Sequence, residues 1–273
     1  MSARPHPQSP VPFPDRSRLP SGGIRLPAGK VHVWRASLEL PEKRIPELSS
    51  LLSRTERDRA DRFQLDHLKP RYVAAHAILR ILLGRYLGTE PEDISFSYSE
   101  KGKPMLVAEH NAPASTHSGD IRFNMSDSNV TALFAFARGA DVGVDLETLR
   151  ALNDMNALAR TVFTPDERDR LERIPERHRL KAFFQAWTVK EAALKATGEG
   201  LRGLHRVETL LGVEDGEDGG SGRPVFGVNE IRDPQASSWT VHLLDPAPDF
   251  AAAVALPAGG FIPRTFDAEG ILD

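Results

Sequence analysis

Residues 182–197, AFFQAWTVKEAALKAT, read as a helix with no face that can be left to water. Ala182, Ala186, Val189, Ala193 and Ala196 recur at spacings of four and three. They form a narrow stripe of small side chains on which another element packs closely. Phe184 and Trp187 fall on the opposite side with Glu191 and Lys195, while Phe183 and Leu194 lie to one flank beside Lys190. A helix apolar on two sides is buried on two sides. The fold therefore has to be layered around this one, and Glu191 and Lys195 enter a partly enclosed cleft. The competing reading is an exposed Glu-to-Lys pair four residues apart, worth only about 0.2–0.5 kcal/mol; Phe184 and Trp187 on the same face count against it. Burying either charge without a partner is costly. A cation beside Glu191 and an anion beside Lys195 would satisfy both.

Order begins near Lys30, where VHVWRASLEL alternates apolar and polar residues as a strand does. SRTERDRADRF predicts a helix capped by Ser53. KPRYVAAHAILRILLGRYLG predicts a long one, with Tyr72, Ala75, Leu79, Leu82 and Leu83 on one stripe and Gly88 as its stop. ISFSYSEKGKPML reads as a hairpin turning at Lys101-Gly102, EHNAPASTHSGD as a loop, and IRFNMSDSNVTALFAFARGADVGVDLE as two or three short strands. DMNALARTVF and TPDERDRLERI are helical, the second with Thr164 as cap, Pro165 in the first turn and Glu167 completing a capping box. The long helix from Glu176 to Thr197 follows, then a turn or loop, GEDGGSGRP, and three final strands, RPVFGV, SWTVHLLD and FAAAVAL.

A strand–helix–strands order thus occurs twice, over roughly residues 30–137 and 140–256, with no repeat read at the level of single residues. It predicts an α+β protein of two similar lobes: a Pro-rich disordered tail at 1–28, an N-terminal lobe at 29–138, a C-terminal lobe at 139–257 and a C-terminal tail at 258–273.

The 273 residues suffice for one large domain or two of about 120. A net charge of −3 gives no field to draw in nucleic acid or an anionic membrane. The absence of cysteine excludes disulfides, thiolate zinc sites and a cysteine nucleophile. The first residues contain no apolar run, so neither a signal peptide nor a membrane anchor is read there, and a cytoplasmic protein is expected. No GxxxxGK[ST], GxSxG or HExxH occurs, and the nine histidines show no metal-ligand spacing.

In VGVDLE, residues 142–147, alternation sends Val142, Val144 and Leu146 to one face and Gly143, Asp145 and Glu147 to the other. The two carboxylates stand roughly 7 Å apart on that face. A strand with one wet face accommodates such acids without further purpose. Like charges this close otherwise call for a cation or a proton between them, and oxygen ligands suit Mg²⁺ that also borrows substrate phosphate oxygens. Glu191 would supply a third carboxylate from the helix. The cluster Arg54, Arg57, Arg59, Arg62, Lys69 and Arg71 reads as a solvated face, or as arginine forks for phosphate.

VGVDLE followed about 36 residues later by FFQAWTVKEAALKATGEGL resembles the 4′-phosphopantetheinyl transferases, in their longer two-lobed, Sfp-type form. ERDRADRF, RYVAAHAILR, SEKGKPML and RFNMSDS stand upstream in the matching order, so the resemblance covers roughly residues 30–210. It implies a pseudo-twofold α+β fold with coenzyme A bound between the lobes. The implied reaction moves phosphopantetheine from coenzyme A to a serine of an apo acyl, peptidyl or aryl carrier protein and releases adenosine 3′,5′-bisphosphate. Carriers of nonribosomal peptide, polyketide, siderophore and fatty-acid synthesis all use similar motifs.

The same resemblance implies Asp145, Glu147 and Glu191 as ligands of Mg²⁺, with Mn²⁺ as a substitute. Lys195, with Lys190 as a second candidate, would neutralise the pyrophosphate. Glu191 is the leading base for the serine proton, directly or through a metal-coordinated water, and Glu147 the alternative. Arg71 and Arg59 match basic residues near the 3′-phosphate, with Arg57 as competitor to Arg59. Lys103 and Pro104 match a glycine-lysine-proline turn beside the adenine, and Ser126 the serine of a serine-histidine pair. Asp127 stands where the family often has that histidine, and an aspartate there repels phosphate unless turned away or countered. A monomer is implied. Two other readings compete: a non-catalytic carrier-protein binder of the same fold, and a magnesium-dependent nucleotide pyrophosphatase.

Overall fold

The computed structural model describes residues 9–14, 23–107, 120–198, 207, 209–214, 223–227, 231–232 and 238–272. Strand β1 is Val11–Pro12 and β2 Lys30–Ser37; three helices follow, α1 (Ile45–Ser50), α2 (Arg54–Ala60) and the long α3 (Leu68–Leu87). Strands β3 (Phe96–Tyr98) and β4 (Pro104–Leu106) form the expected hairpin, then come β5 (Ile121–Ser128), β6 (Thr131–Arg138) and β7 (Gly143–Thr148). Helices α4 (Met155–Val162), α5 (Pro165–Arg173) and α6 (Glu176–Thr197) precede β8 (Leu210–Glu214), β9 (Arg223–Gly227), β10 (Ile231–Arg232), β11 (Ser238–Asp245), β12 (Phe250–Pro257) and β13 (Ile262–Asp267). The expected loop at EHNAPASTHSGD and most of that at GEDGGSGRP lie outside the described residues.

Both long helices end where the sequence places their stops. Gly88 and Gly198 take left-handed φ values of 68° and 72°, and each amide returns to the carbonyl four residues back. Glycine adopts that conformation at no steric cost. The capping box at Thr164 and Glu167 forms, and a second one forms at Ser53 and Glu56.

The elements stack in four layers. Helix α3 covers one face of the sheet β13-β2-β6-β5, burying Ala75, Ile78 and Leu82 against Trp34, Phe123, Phe134 and Phe136. The other face of that sheet, through Val31, Val33, Leu133 and Ala135, packs on Val144, Leu146, Val254 and Leu256 of the sheet β1-β11-β12-β7. Helix α6 closes the far side over Ala251, Ala253 and Ala255. Strands β6 and β12 are thus apolar on both faces, which is why ALFAFA and FAAAVAL read as unbroken hydrophobic runs. In each half the first strand pairs antiparallel with the last (β2 with β6, β7 with β12), and the last pairs with the one before it (β5, β11). This is the mixed α+β architecture expected.

The tails depart from expectation. Within the Pro-rich segment, Val11–Pro12 runs parallel to β11, Phe13 is buried, and Ile24 and Leu26 pack beneath α3. The C-terminal segment adds β13 parallel to β2 and buries Ile271. The N-terminal strand therefore joins the second sheet and the C-terminal strand the first. The few apolar residues of these segments have uncovered sheet edges and core margins to fill, and backbone pairing repays their ordering.

Candidate active site

Helix α6 lies directly on β7 because position 143 has no side chain. A Cβ on Gly143 would come within 2.0 Å of the Ala192 carbonyl oxygen and 2.4 Å of the Ala196 nitrogen. That contact sets the face of β7 bearing Asp145 and Glu147 against the part of α6 bearing Glu191 and Lys195. Trp187, Glu191 and Lys195, at spacings of four, form a half-buried stripe on a helix whose neighbouring residues are almost all buried.

Asp145 is only 4% exposed. Its Oδ1 accepts from Lys195 Nζ at 2.6 Å and from Ser126 Oγ at 3.1 Å, while Oδ2 is buried with no hydrogen-bond partner. The Oε1 of Glu191 is likewise buried and unpartnered. Glu147 accepts from Arg150 Nη1 at 3.0 Å, and the Arg150 guanidinium lies over the Phe184 ring. Burial raises the Glu191 pKa, helped by the charges of Asp145 and Glu147 and opposed by Lys195. Burial also raises the Glu147 pKa, with the Arg150 hydrogen bond opposing and the charge of Asp145 adding to the rise. Glu191 thus feels the charge of both strand carboxylates across the strand–helix junction.

Among the described residues, no group of three or more His, Asp or Glu side chains is drawn close enough together to hold a metal ion as it stands. Lys195 occupies the position of a counter-ion on Asp145, and Arg150 does the same on Glu147. The donor set nevertheless suits a hard divalent cation. It is all carboxylate oxygen, and two of its oxygens are buried without the partner that buried polar atoms ordinarily have.

The sequence pattern of the 4′-phosphopantetheinyl transferase superfamily matches residues 141–255, which hold β7, α6 and all four of these residues. A 4′-phosphopantetheinyl transferase of Nostoc sp., HetI, is 35% identical over 88% of this chain and 93% of its own. This chain belongs to the 4′-phosphopantetheinyl transferase superfamily. A Synechocystis protein named for the same activity is 36% identical over 63% of this chain and 66% of its own, and the transferase AcpT of Salmonella typhimurium 34% identical over 48% and 62%. The chain is accordingly a transferase of the longer, Sfp-type kind.

Two cofactor-contact expectations carried over from the transferase family meet different surroundings here. Lys190 is fully buried; its Nζ lies 2.7 Å from Glu167 Oε2 and donates to the Val207 carbonyl at 2.6 Å. It is turned away from the stripe of Glu191 and Lys195 and cannot reach a ligand there. Ser126 spends its hydroxyl inward, donating to Asp145 and accepting from Lys195 at 2.9 Å and from the Leu146 amide at 3.3 Å.

The remaining positions are spread along the N-terminal half. Lys103 reaches from the β3–β4 turn to the C-terminal end of α6, donating to the Ala196 carbonyl at 2.6 Å; burial lowers its pKa, and Asp141 opposes. Pro104 opens β4 opposite Tyr98. Arg59 is exposed on α2, its guanidinium over the Tyr72 ring, and Arg71 is half-buried at the start of α3. Asp127 is exposed. His76, which the sequence reading passed over, stacks on Tyr72 at 3.8 Å, and its pKa is lowered by burial and raised in part by the charges of Glu56 and Asp127. The net lowering favours the neutral ring, so α3 places an imidazole rather than a cation near Asp127. Arg150 was missed as well; its signal was an arginine three residues past Glu147.

Proposed function

We propose that this protein transfers 4′-phosphopantetheine from coenzyme A to the hydroxyl of a serine in an apo carrier protein, with Mg²⁺ held by Asp145, Glu147 and Glu191. The observation that carries the reading is the pair of buried, unpartnered carboxylate oxygens, Asp145 Oδ2 and Glu191 Oε1, beside the ammonium of Lys195. A cation for the oxygens and a pyrophosphate for the lysine relieve both at once. The similarity to transferases over most of the chain supports the same substrates. The repeated strand connectivity supports a pseudo-twofold relation between the lobes, with coenzyme A between them.

In this scheme the serine oxygen attacks the phosphorus bearing the pantetheine arm. The bond from that phosphorus to the bridging oxygen breaks, and adenosine 3′,5′-bisphosphate leaves with the electron pair. Glu191 receives the serine proton, directly or through a water that it orients. Glu147 is the alternative base. Lys195 turns from Asp145 to the pyrophosphate oxygens and offsets the charge that builds on the leaving group. Bound Mg²⁺ supplies Lewis-acid polarisation of the pyrophosphate. Arg59, Arg71, Lys103 and Pro104 are assigned to the adenosine end, with Asp127 facing it.

Mass spectrometry of several apo carriers incubated with the protein, coenzyme A and Mg²⁺ tests this. Each client carrier gains one phosphopantetheine, and a chelator abolishes the gain. Carriers that bind but never gain mass would make the protein a non-catalytic binder. Phosphopantetheine released without a carrier would make it a pyrophosphatase.

A further inference from the structure

Strands β5 and β7 belong to different sheets and meet through side chains. The Val144 amide donates to Asn124 Oδ1 at 2.9 Å, the Leu146 amide to Ser126 Oγ at 3.3 Å and the Thr148 amide to Ser128 Oγ at 3.0 Å. Three alternate residues of one strand thus hold three alternate amides of the other, so the two cannot slip without losing every rung. Ser126 is the middle rung. A hydroxyl has one hydrogen and two lone pairs, and all three are used: the hydrogen on Asp145 Oδ1, the lone pairs on the Leu146 amide and Lys195 Nζ. Lys195 gives a second bond to the same Oδ1. One carboxylate oxygen is fastened from two directions, and the other remains buried without a partner.

We infer that Ser126 is a positioning residue: held by the Leu146 amide and donating to Oδ1, it sets the rotation of the Asp145 carboxyl and presents Oδ2 to the divalent ion. This rests on the proposed transferase reading. Asn124-x-Ser126-x-Ser128 is then more than an inter-sheet lock, because its central member connects the N-terminal sheet to the acid and the lysine of the other half.

The test compares wild type, Ser126→Ala and Ser128→Ala by titration with Mn²⁺ alone and by steady-state transfer kinetics. Both alanine variants remove one rung, but only Ser126 touches Asp145 and Lys195. Ser126→Ala weakens Mn²⁺ binding and lowers kcat, each by about 10–100-fold, with KM for coenzyme A little changed, while Ser128→Ala leaves both near wild type. Ser126→Cys fills the same space with a weaker hydrogen-bonding group and carries the comparison if the alanine variant does not fold. Equal Mn²⁺ affinity and kcat in the Ser126 and Ser128 variants overturn the inference. A wild-type protein that binds Mn²⁺ and transfers nothing overturns the functional reading instead, and the Mn²⁺ titrations still decide the role of Ser126.

Discussion

Lys190 and Lys195 sit five residues apart on α6 and have opposite fates. Lys195 is half-buried at the mouth of the acidic group, paired with Asp145 in a contact a phosphate can replace. Lys190 is enclosed. Its partner Glu167 is fully buried too and accepts from the Thr164 amide at 2.8 Å and from the Thr209 amide and hydroxyl at 2.6 and 2.7 Å. The carboxylate's lone pairs are satisfied and the ammonium also has a carbonyl, so the pair is tolerated in the interior. Removing the lysine alone leaves a buried anion. Lys190→Ala should therefore cost about 3–5 kcal/mol of folding stability, read by urea denaturation, while KM for coenzyme A in the surviving folded enzyme stays near wild type. A raised KM with unchanged stability would return Lys190 to the substrate site. The sequence could not separate the two lysines, because both lie in one run of helix and only the packing of α5 and Val207 distinguishes them.

At the scale of elements, one missing side chain decides where the proposed catalytic groups meet. Gly143→Ala places a methyl group against the α6 backbone, which cannot yield as a flexible side chain can. The helix must move off β7, and Asp145 and Glu147 separate from Glu191 and Lys195. The variant should lose about 1–3 kcal/mol or more of stability, and transfer activity at least about 100-fold, since a misplacement near 1 Å costs that much. Thermal melting and turnover with a carrier measure the two losses; near-wild-type activity would show that the close approach is not needed. The helices after α1 were legible because Ser53, Gly88 and Thr164 act on their own neighbours, whereas α1 was not read. Strand β7 was legible through its alternation, and the meeting of Glu191 with Asp145 through the two-sided burial of α6. Strands β1, β8, β10 and β13 were not, because a short edge strand takes its conformation from the strand it pairs with, here β11, β9 or β2. The resemblance assigns Ser126 to the cofactor as the serine of a serine-histidine pair; its inward role is not legible because its partners come from elements further along the chain.

Across the whole molecule the two halves repeat a device as well as a strand order. Ser53 and Glu56 cap α2, and Glu56 pairs with buried Arg80 of α3 at 2.8 Å; Thr164 and Glu167 cap α5, and Glu167 pairs with buried Lys190 of α6 at 2.7 Å. The capping segments share the run Glu-Arg-Asp-Arg, at 56–59 and 167–170, a residue-level repeat that the sequence reading did not register. The halves are also tied together. One shared core lies between the two sheets, and Arg35 of β2 joins both tails to it. Its guanidinium bonds Asp267 of β13 at 2.5 Å, donates to the Pro246 carbonyl between β11 and β12 and to the Pro14 carbonyl, and lies over Phe13. Thr265 adds a bond to the Pro12 carbonyl at 2.5 Å. Halves that share a core and are strapped across it should unfold as one unit. Urea transitions followed by circular dichroism and by tryptophan fluorescence should coincide, with Trp34 reporting one half and Trp187 and Trp239 the other. Arg35→Met removes charge-assisted bonds and should lower stability by about 1–3 kcal/mol. The midpoint then falls while the probes still coincide, because the shared core is untouched. Probes that part in the variant would assign the coupling to the strap rather than to the core, and probes that part in wild type would mean the halves fold independently.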